Sequence, residues 1–192
     1  MRKVTPADIQ EAADYEIGRA ALRTRILAIK AARRVAIGDH LTVLFENHDT
    51  VRYQIQEMLR IERITDRAAI RHEIDTYNEL VAGPDELRAT LLIEYEDAAE
   101  RDRWLRALLG LERHLHLVVP GVGECRARFD DRQISSDRIS SVHYVTFALG
   151  PRLATAIREG AGVVVHVDHP RLEAQAELSV TQLAAVREDL AP

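Results

Sequence analysis

The chain has 192 residues, 46% of them apolar and 30% charged, with a formal charge of −5. That is an ordinary globular composition at a length sufficient to bury a core. Acidic residues interleaved among the arginines exclude the basic stripe that nucleic-acid binding needs, and no apolar run is long enough to span a membrane. Cys125 is the single cysteine, so no disulfide, zinc ribbon or cysteine-ligated iron–sulfur cluster forms within one chain. The N-terminus carries no apolar signal core, which makes the cytoplasm the expected compartment.

Thr5-Pro6 is a helix start, with Thr as N-cap, Pro at the first helical position and Asp8 in the first turn. The helix is expected to run to about Arg34, with Ile9, Ala13, Ile17 and Ala20 on one stripe and Leu22, Ile26 and Ile29 on the next. Lys30, Arg33 and Arg34 collect at its C-terminal end, where cations suit the helix dipole, and read as a solvated basic end. Gly38-Asp39 marks a turn before the short apolar strand LTVLF. A second helix is expected from Val51 to Ile64, capped by Asp49 or Thr50, and a third from near Asp66 to Gly83-Pro84.

From Ala89 to Tyr95 the pattern alternates as a strand, with Glu94 on the face of Thr90 and Leu92. Asp97 with Glu100 opens a helix that carries Trp104, Leu105, Leu108 and Leu109 and stops at Gly110. Short strands are expected over 113–119, 124–129, 139–149 and 162–168, with a helix over 151–159 and a closing helix capped by Ser179 and Gln182. The fold class is α+β: an N-terminal helical layer packed on a small, mostly antiparallel sheet with further helices. We expect a single domain over 1–192, mainly helical over 1–85 and mixed over 86–192.

The informative residues lie on the two central helices. On a wheel of roughly 100° per residue, Glu57, Glu62 and Glu73 fall within apolar stripes expected to be buried. A buried carboxylate must be paired, hydrogen-bonded or bound to metal. One reading is a non-haem iron or manganese site with Glu57, Glu62, Glu73 and His72 as ligands. Glu46, Asn47, Arg52, Arg60, Tyr77, Asn78 and Glu94 would then form the surrounding pocket. The di-iron Glu-x-x-His spacing is absent, since Arg60 follows Glu57 and Thr76 follows Glu73 at the third position. A second reading pairs the glutamates with arginines of the first helix or with Arg52 and Arg60, whose planar forks match carboxylates, and a third makes them part of a metal-free polar ligand pocket.

A second constellation lies on the C-terminal strands. His114 and His116 alternate with leucines, His166 and Asp168 share a face, and His143 sits on a strand between; together they form an alternative metal set. Nucleophilic and nucleotide-dependent chemistry find no support. No Gly-x-Ser-x-Gly elbow or Walker loop occurs, and Gly121-x-Gly123 lacks the rest of a dinucleotide fingerprint.

The segments FENHDTVRYQIQEMLRIERI, EIDTYNEL, ATLLIEYED and VDHP resemble a bacterial family of uncharacterised proteins, a domain of unknown function, over nearly the whole chain. Members of that family are often encoded beside rubrerythrin-like di-iron proteins and iron–sulfur proteins of the heterodisulfide-reductase kind. The resemblance therefore implies a role near iron or peroxide chemistry, with such a protein as redox partner. The first functional expectation is a metal-associated redox accessory protein. The second is a non-enzymatic scaffold whose long first helix and charged faces bind a redox neighbour or a second copy of the chain, as in a homodimer.

Overall fold

The computed structural model describes residues 1–130, 133 and 136–191. Its helices are α1 (Ala12–Ala31), α2 (His48–Ile61), α3 (Arg67–Tyr77), α4 (Ala98–Ala107), α5 (Gly150–Glu159) and α6 (Val180–Asp189). The strands are β1 (Arg34–Ile37), β2 (Leu41–Phe45), β3 (Glu86–Ile93), β4 (Leu115–Val119), β5 (Gly123–Arg126), β6 (Arg128–Phe129), β7 (Val142–Ala148), β8 (Val164–His169) and β9 (Leu172–Glu177).

The fold is α+β, but the strands make two antiparallel sheets rather than one small one. A five-stranded sheet has the order β1-β2-β3-β7-β6 and a four-stranded sheet the order β5-β4-β8-β9. One extended segment serves both. It leaves the four-stranded sheet as β5, turns through Ala127, whose N–H donates to the Leu115 carbonyl at 2.8 Å, and enters the five-stranded sheet as β6. At the other edge β1 lies beside β9. Between the sheets, alternate residues of the strands form one apolar cluster that includes Phe45, Leu91, Phe147, Leu117 and Val165. Leu105 of α4, Leu153 and Ile157 of α5 and Val186 of α6 extend it. Strand β9 escapes the sequence pattern because LEAQAE presents only alanines and one leucine to the core, residues of weak β-propensity.

The helical layer covers the outer face of the five-stranded sheet with its own cluster, built from Val51, Ile55 and Leu59 of α2, Ile74 of α3, and Leu80, Val81 and Val4. Tyr144 of β7 packs against it. The side chain of Asn78 clamps the N-terminal arm, accepting from the Val4 N–H at 2.8 Å and donating to its carbonyl at 2.9 Å. Asn47 and Thr50 cap α2 reciprocally, which starts the helix three residues earlier than Val51.

The first helix departs from expectation at both ends. Pro6–Asp8 is an isolated 3-10 turn and α1 begins only at Ala12. The backbone between them is diverted to α2: the Gln10 N–H donates to Gln56 Oε1 at 2.9 Å and Gln56 Nε2 donates to the Gln10 carbonyl at 3.1 Å. The buried side chains of α1 are Tyr15 and Ile26, while Ile17 is 86% exposed. At the far end the helix stops at Ala31, and Arg33 is buried rather than solvated.

Candidate functional site

Glu57 sits on α2 where α1 crosses it. Arg19 Nε donates to Glu57 Oε1 at 2.7 Å and Arg19 Nη2 to Oε2 at 2.8 Å, a bidentate fork. The Tyr15 hydroxyl donates to Oε1 at 2.6 Å, and Arg60 Nε stands 3.5 Å away. The Arg19 fork holds the Glu57 carboxyl down to about 2, against the opposing pull of burial. Burial first, and then the hydrogen bond to Glu57, push the Tyr15 phenol well above its ordinary range. Tyr15 and Arg19 stand four residues apart on one face of α1, and that spacing was the available signal for this cage.

The other two glutamates do not join Glu57. The helix wheel carries α2 too far: the helix ends at Ile61, Glu62 is its C-cap and lies exposed, and Arg63 follows at φ +57°. Glu73 on α3 is half-buried and His72 beside it is exposed. The expectation that all three carboxylates are buried is therefore corrected at Glu62, which is exposed, while Glu57 and Glu73 are both half-buried. Among the described residues no group of three or more His, Cys, Asp or Glu is arranged to hold a metal ion.

Of the surrounding residues, Asn47 and Asn78 serve the cap and the clamp described above. Arg52 is half-buried, and Glu94 accepts from the Thr42 hydroxyl at 2.7 Å. Tyr77 lines a groove of about 600 Å³ with Arg88, Arg128, Tyr144 and Thr146. Glu46 is a deeply buried acid, 3% exposed, at the end of β2. It accepts from Thr50 at 2.5 Å and from Thr90 at 2.6 Å, two hydroxyl donors.

The histidine strands converge in part. Strands β4 and β8 are neighbours, and their register sets His116 opposite His166. His114 Nδ1 lies 2.9 Å from Asp168 Oδ1, and His116 Nε2 lies 3.5 Å from the same oxygen. The hydrogen bond from His114 holds the Asp168 carboxyl below its usual range. These four side chains share the outer face of the four-stranded sheet. His143 does not belong with them: it is 1% exposed, points between the sheets from β7, and packs edge-on against Phe129 at 5.2 Å. Cys125 is half-buried, and burial pushes its thiol up to about 11, which leaves it a poor nucleophile.

A second groove, about 540 Å³, adjoins the Glu57 cage. Pro6 to Ala12, Tyr15, α2 and the start of α3 line it. Leu59, Ile64, Ile70 and Ile9 make its apolar surface, with Arg60, Arg67 and Arg71 beside them.

The molecule is thus an α+β protein in which an ion-paired helical layer overlies a core formed between two antiparallel sheets. More narrowly, the chain belongs to the family described as protein of unknown function (DUF3501), whose model matches residues 3–190. It is similar to a protein of unknown function from Burkholderia pseudomallei K96243, known from a crystal structure. The two are 34% identical, with a TM-score of 0.93 over 99% of this chain and 100% of that one. No curated protein matches the chain.

Proposed function

We propose that the protein is a scaffold that docks through α1, and that its first partner is a second copy of itself in antiparallel register. The observation that carries this is the outward face of α1. Ala13, Ile17, Ala20, Thr24, Leu27 and Ala28 are all exposed and uncharged. At 100° per residue they form one stripe about 23 Å long, opposite the face that holds Tyr15 and Ile26. An exposed apolar stripe of this length costs solvation unless a partner covers it.

The flanks of the stripe say which partner fits. Acidic Asp14 and Glu16 precede the helix midpoint, and basic Arg23 and Arg25 follow it. Asp14 and Arg25 lie on one flank and Glu16 and Arg23 on the other, each pair equidistant from a point between Arg19 and Ala20. In an antiparallel pair, like flanks meet, so every acid faces a base of the second copy. Parallel pairing would set like charges together. Small residues along the stripe allow close approach of the two backbones. The pairing of Glu57 with Arg19 supports the same reading: it commits this carboxylate to fixing α1 on the body, where a helix-borne metal centre would need it free.

Light scattering coupled to gel filtration tests this. A dimer is expected at about 100 µM protein, and Ile17→Arg should make it monomeric with an unchanged far-ultraviolet circular dichroism spectrum. Asp14→Arg/Glu16→Arg and Arg23→Glu/Arg25→Glu should each be monomeric alone and dimerise when mixed. A monomeric wild type at that concentration, or a dimer indifferent to Ile17→Arg, refutes the reading.

A further inference from the structure

We infer that the groove between the N-terminal arm, α2 and α3 binds a long-chain carboxylic acid. This inference is independent of α1 self-association, since the groove lies on the inner side of that helix. Its walls are held by contacts within the chain. The reciprocal Gln10–Gln56 hydrogen bonds fix the arm, and the Arg19–Glu57–Tyr15 cage fixes α1. The interior is aliphatic, from Ile9, Leu59, Ile64 and Ile70, and its volume of about 540 Å³ falls within the range of small-molecule sites.

The polar groups are one-sided in charge. Arg60, Arg67 and Arg71 line the groove, and among the described residues Glu11 is the one carboxylate that lines it. Arg60 stands 3.5 Å from Glu57 and 3.7 Å from Glu16, yet its buried Nε makes no hydrogen bond. Arg67 and Arg71 are exposed and lie one helical turn apart on α3, so their guanidinium groups can converge on one anion. An aliphatic floor beside the exposed Arg67 and Arg71, with Arg60 already ion-paired to Glu57 and Glu16, selects an anionic head on a hydrocarbon tail: the tail gains by leaving water and the head is met by guanidinium donors.

Isothermal titration of the full-length protein with dodecanoate, below its micelle concentration, tests the inference. One saturable site is expected. Dodecanol should bind at least about tenfold more weakly, butyrate should not register, and Arg67→Glu/Arg71→Glu should weaken dodecanoate by about tenfold or more. Both arginines are exposed, so this variant keeps its fold, and an unchanged thermal melt shows it. No saturable binding of dodecanoate, equal affinity for dodecanol, or an unaffected double variant each overturns the inference. A monomer–dimer measurement on the same samples reports on α1 docking separately.

Discussion

Arg33, just past the end of α1, and Asp189, in the last turn of α6, meet as a buried ion pair 3% and 5% exposed. Arg33 Nη2 donates to Asp189 Oδ1 at 2.9 Å, and Nη1 donates to Oδ2. The pair ties the strand that opens the five-stranded sheet to the helix that closes the chain. Burial raises the Asp189 carboxyl above its ordinary range, and Arg33 pulls the other way. Removing either partner alone strands a charge in the core, so Arg33→Met or Asp189→Leu should each cost about 3–5 kcal/mol in denaturant unfolding. The double variant should recover most of that loss, because two apolar side chains replace two desolvated charges. Strictly additive losses would show that the two residues act apart.

Glu57 gives the second prediction. Its folded carboxyl titrates at about 2 against an ordinary 4.5. A depressed carboxylate contributes stability that is present above about pH 4.5 and is lost as pH falls toward 2. Glu57→Gln should therefore lower stability at neutral pH by about 1–3 kcal/mol and flatten the acid limb of the pH–stability curve. Tyr15→Phe keeps the ring and removes one charge-assisted hydrogen bond, for about 1–2 kcal/mol. Urea titrations at pH 7 and near pH 3 separate the two; an unchanged acid limb in Glu57→Gln would assign the sensitivity elsewhere.

Glu46 is held differently, by hydroxyls rather than by a guanidinium. Its carboxylate is 3% exposed, and Thr90 is one of its two hydroxyl donors. Thr90→Val preserves shape and packing while leaving one carboxylate oxygen short of a partner, and should cost about 1–3 kcal/mol. Combining it with Glu46→Leu should bring back part of the loss, since no buried carboxylate is left to satisfy. A Thr90→Val protein as stable as the wild type would mean that Glu46 finds another donor.

What the sequence discloses follows the range of the forces involved. Period and capping are local, so α2, α3, α4, α5 and α6 emerge with ends displaced by a few residues, and Asp97 and Ser179 cap where expected, each accepting from the third residue of its helix. Partners distant in sequence are not legible in that way. Arg33 reads as solvated because Asp189 stands 156 positions on, and the arm at Gln10 leaves the helix because Gln56 captures its backbone. Glu57 was marked by its place in an apolar stripe, and arginine pairing was one of three readings. Glu62 was marked by the same wheel but lies beyond the helix end. Strand adjacency could not be read, which is why His114, His116, His166 and Asp168 gather while His143 stands apart.

His143 supplies the last prediction. It projects from β7 into the space between the sheets, 1% exposed, beside Phe129. Among the described residues neither ring nitrogen has a hydrogen-bond partner of good geometry, and Glu112 carries a buried Oε2 without one. Burial lowers the imidazole below its ordinary 6.5, with the Ser140 backbone and the Glu112 charge opposing it more weakly. The folded ring is therefore neutral where the unfolded ring takes up a proton. Its contribution is intact above about pH 6.5 and is lost as pH falls through that value, since the unfolded state then binds more protons. His143→Phe keeps an aromatic ring against Phe129 and removes two orphaned nitrogens, so it should raise stability at neutral pH by about 1–2 kcal/mol. The same change should remove part of the decline between about pH 7 and pH 5. Thermal melts of both proteins across that interval decide it: a variant whose melting temperature falls with acid as steeply as the wild type would place the sensitive proton elsewhere, and a destabilised variant would mean that the ring nitrogens make contacts that matter.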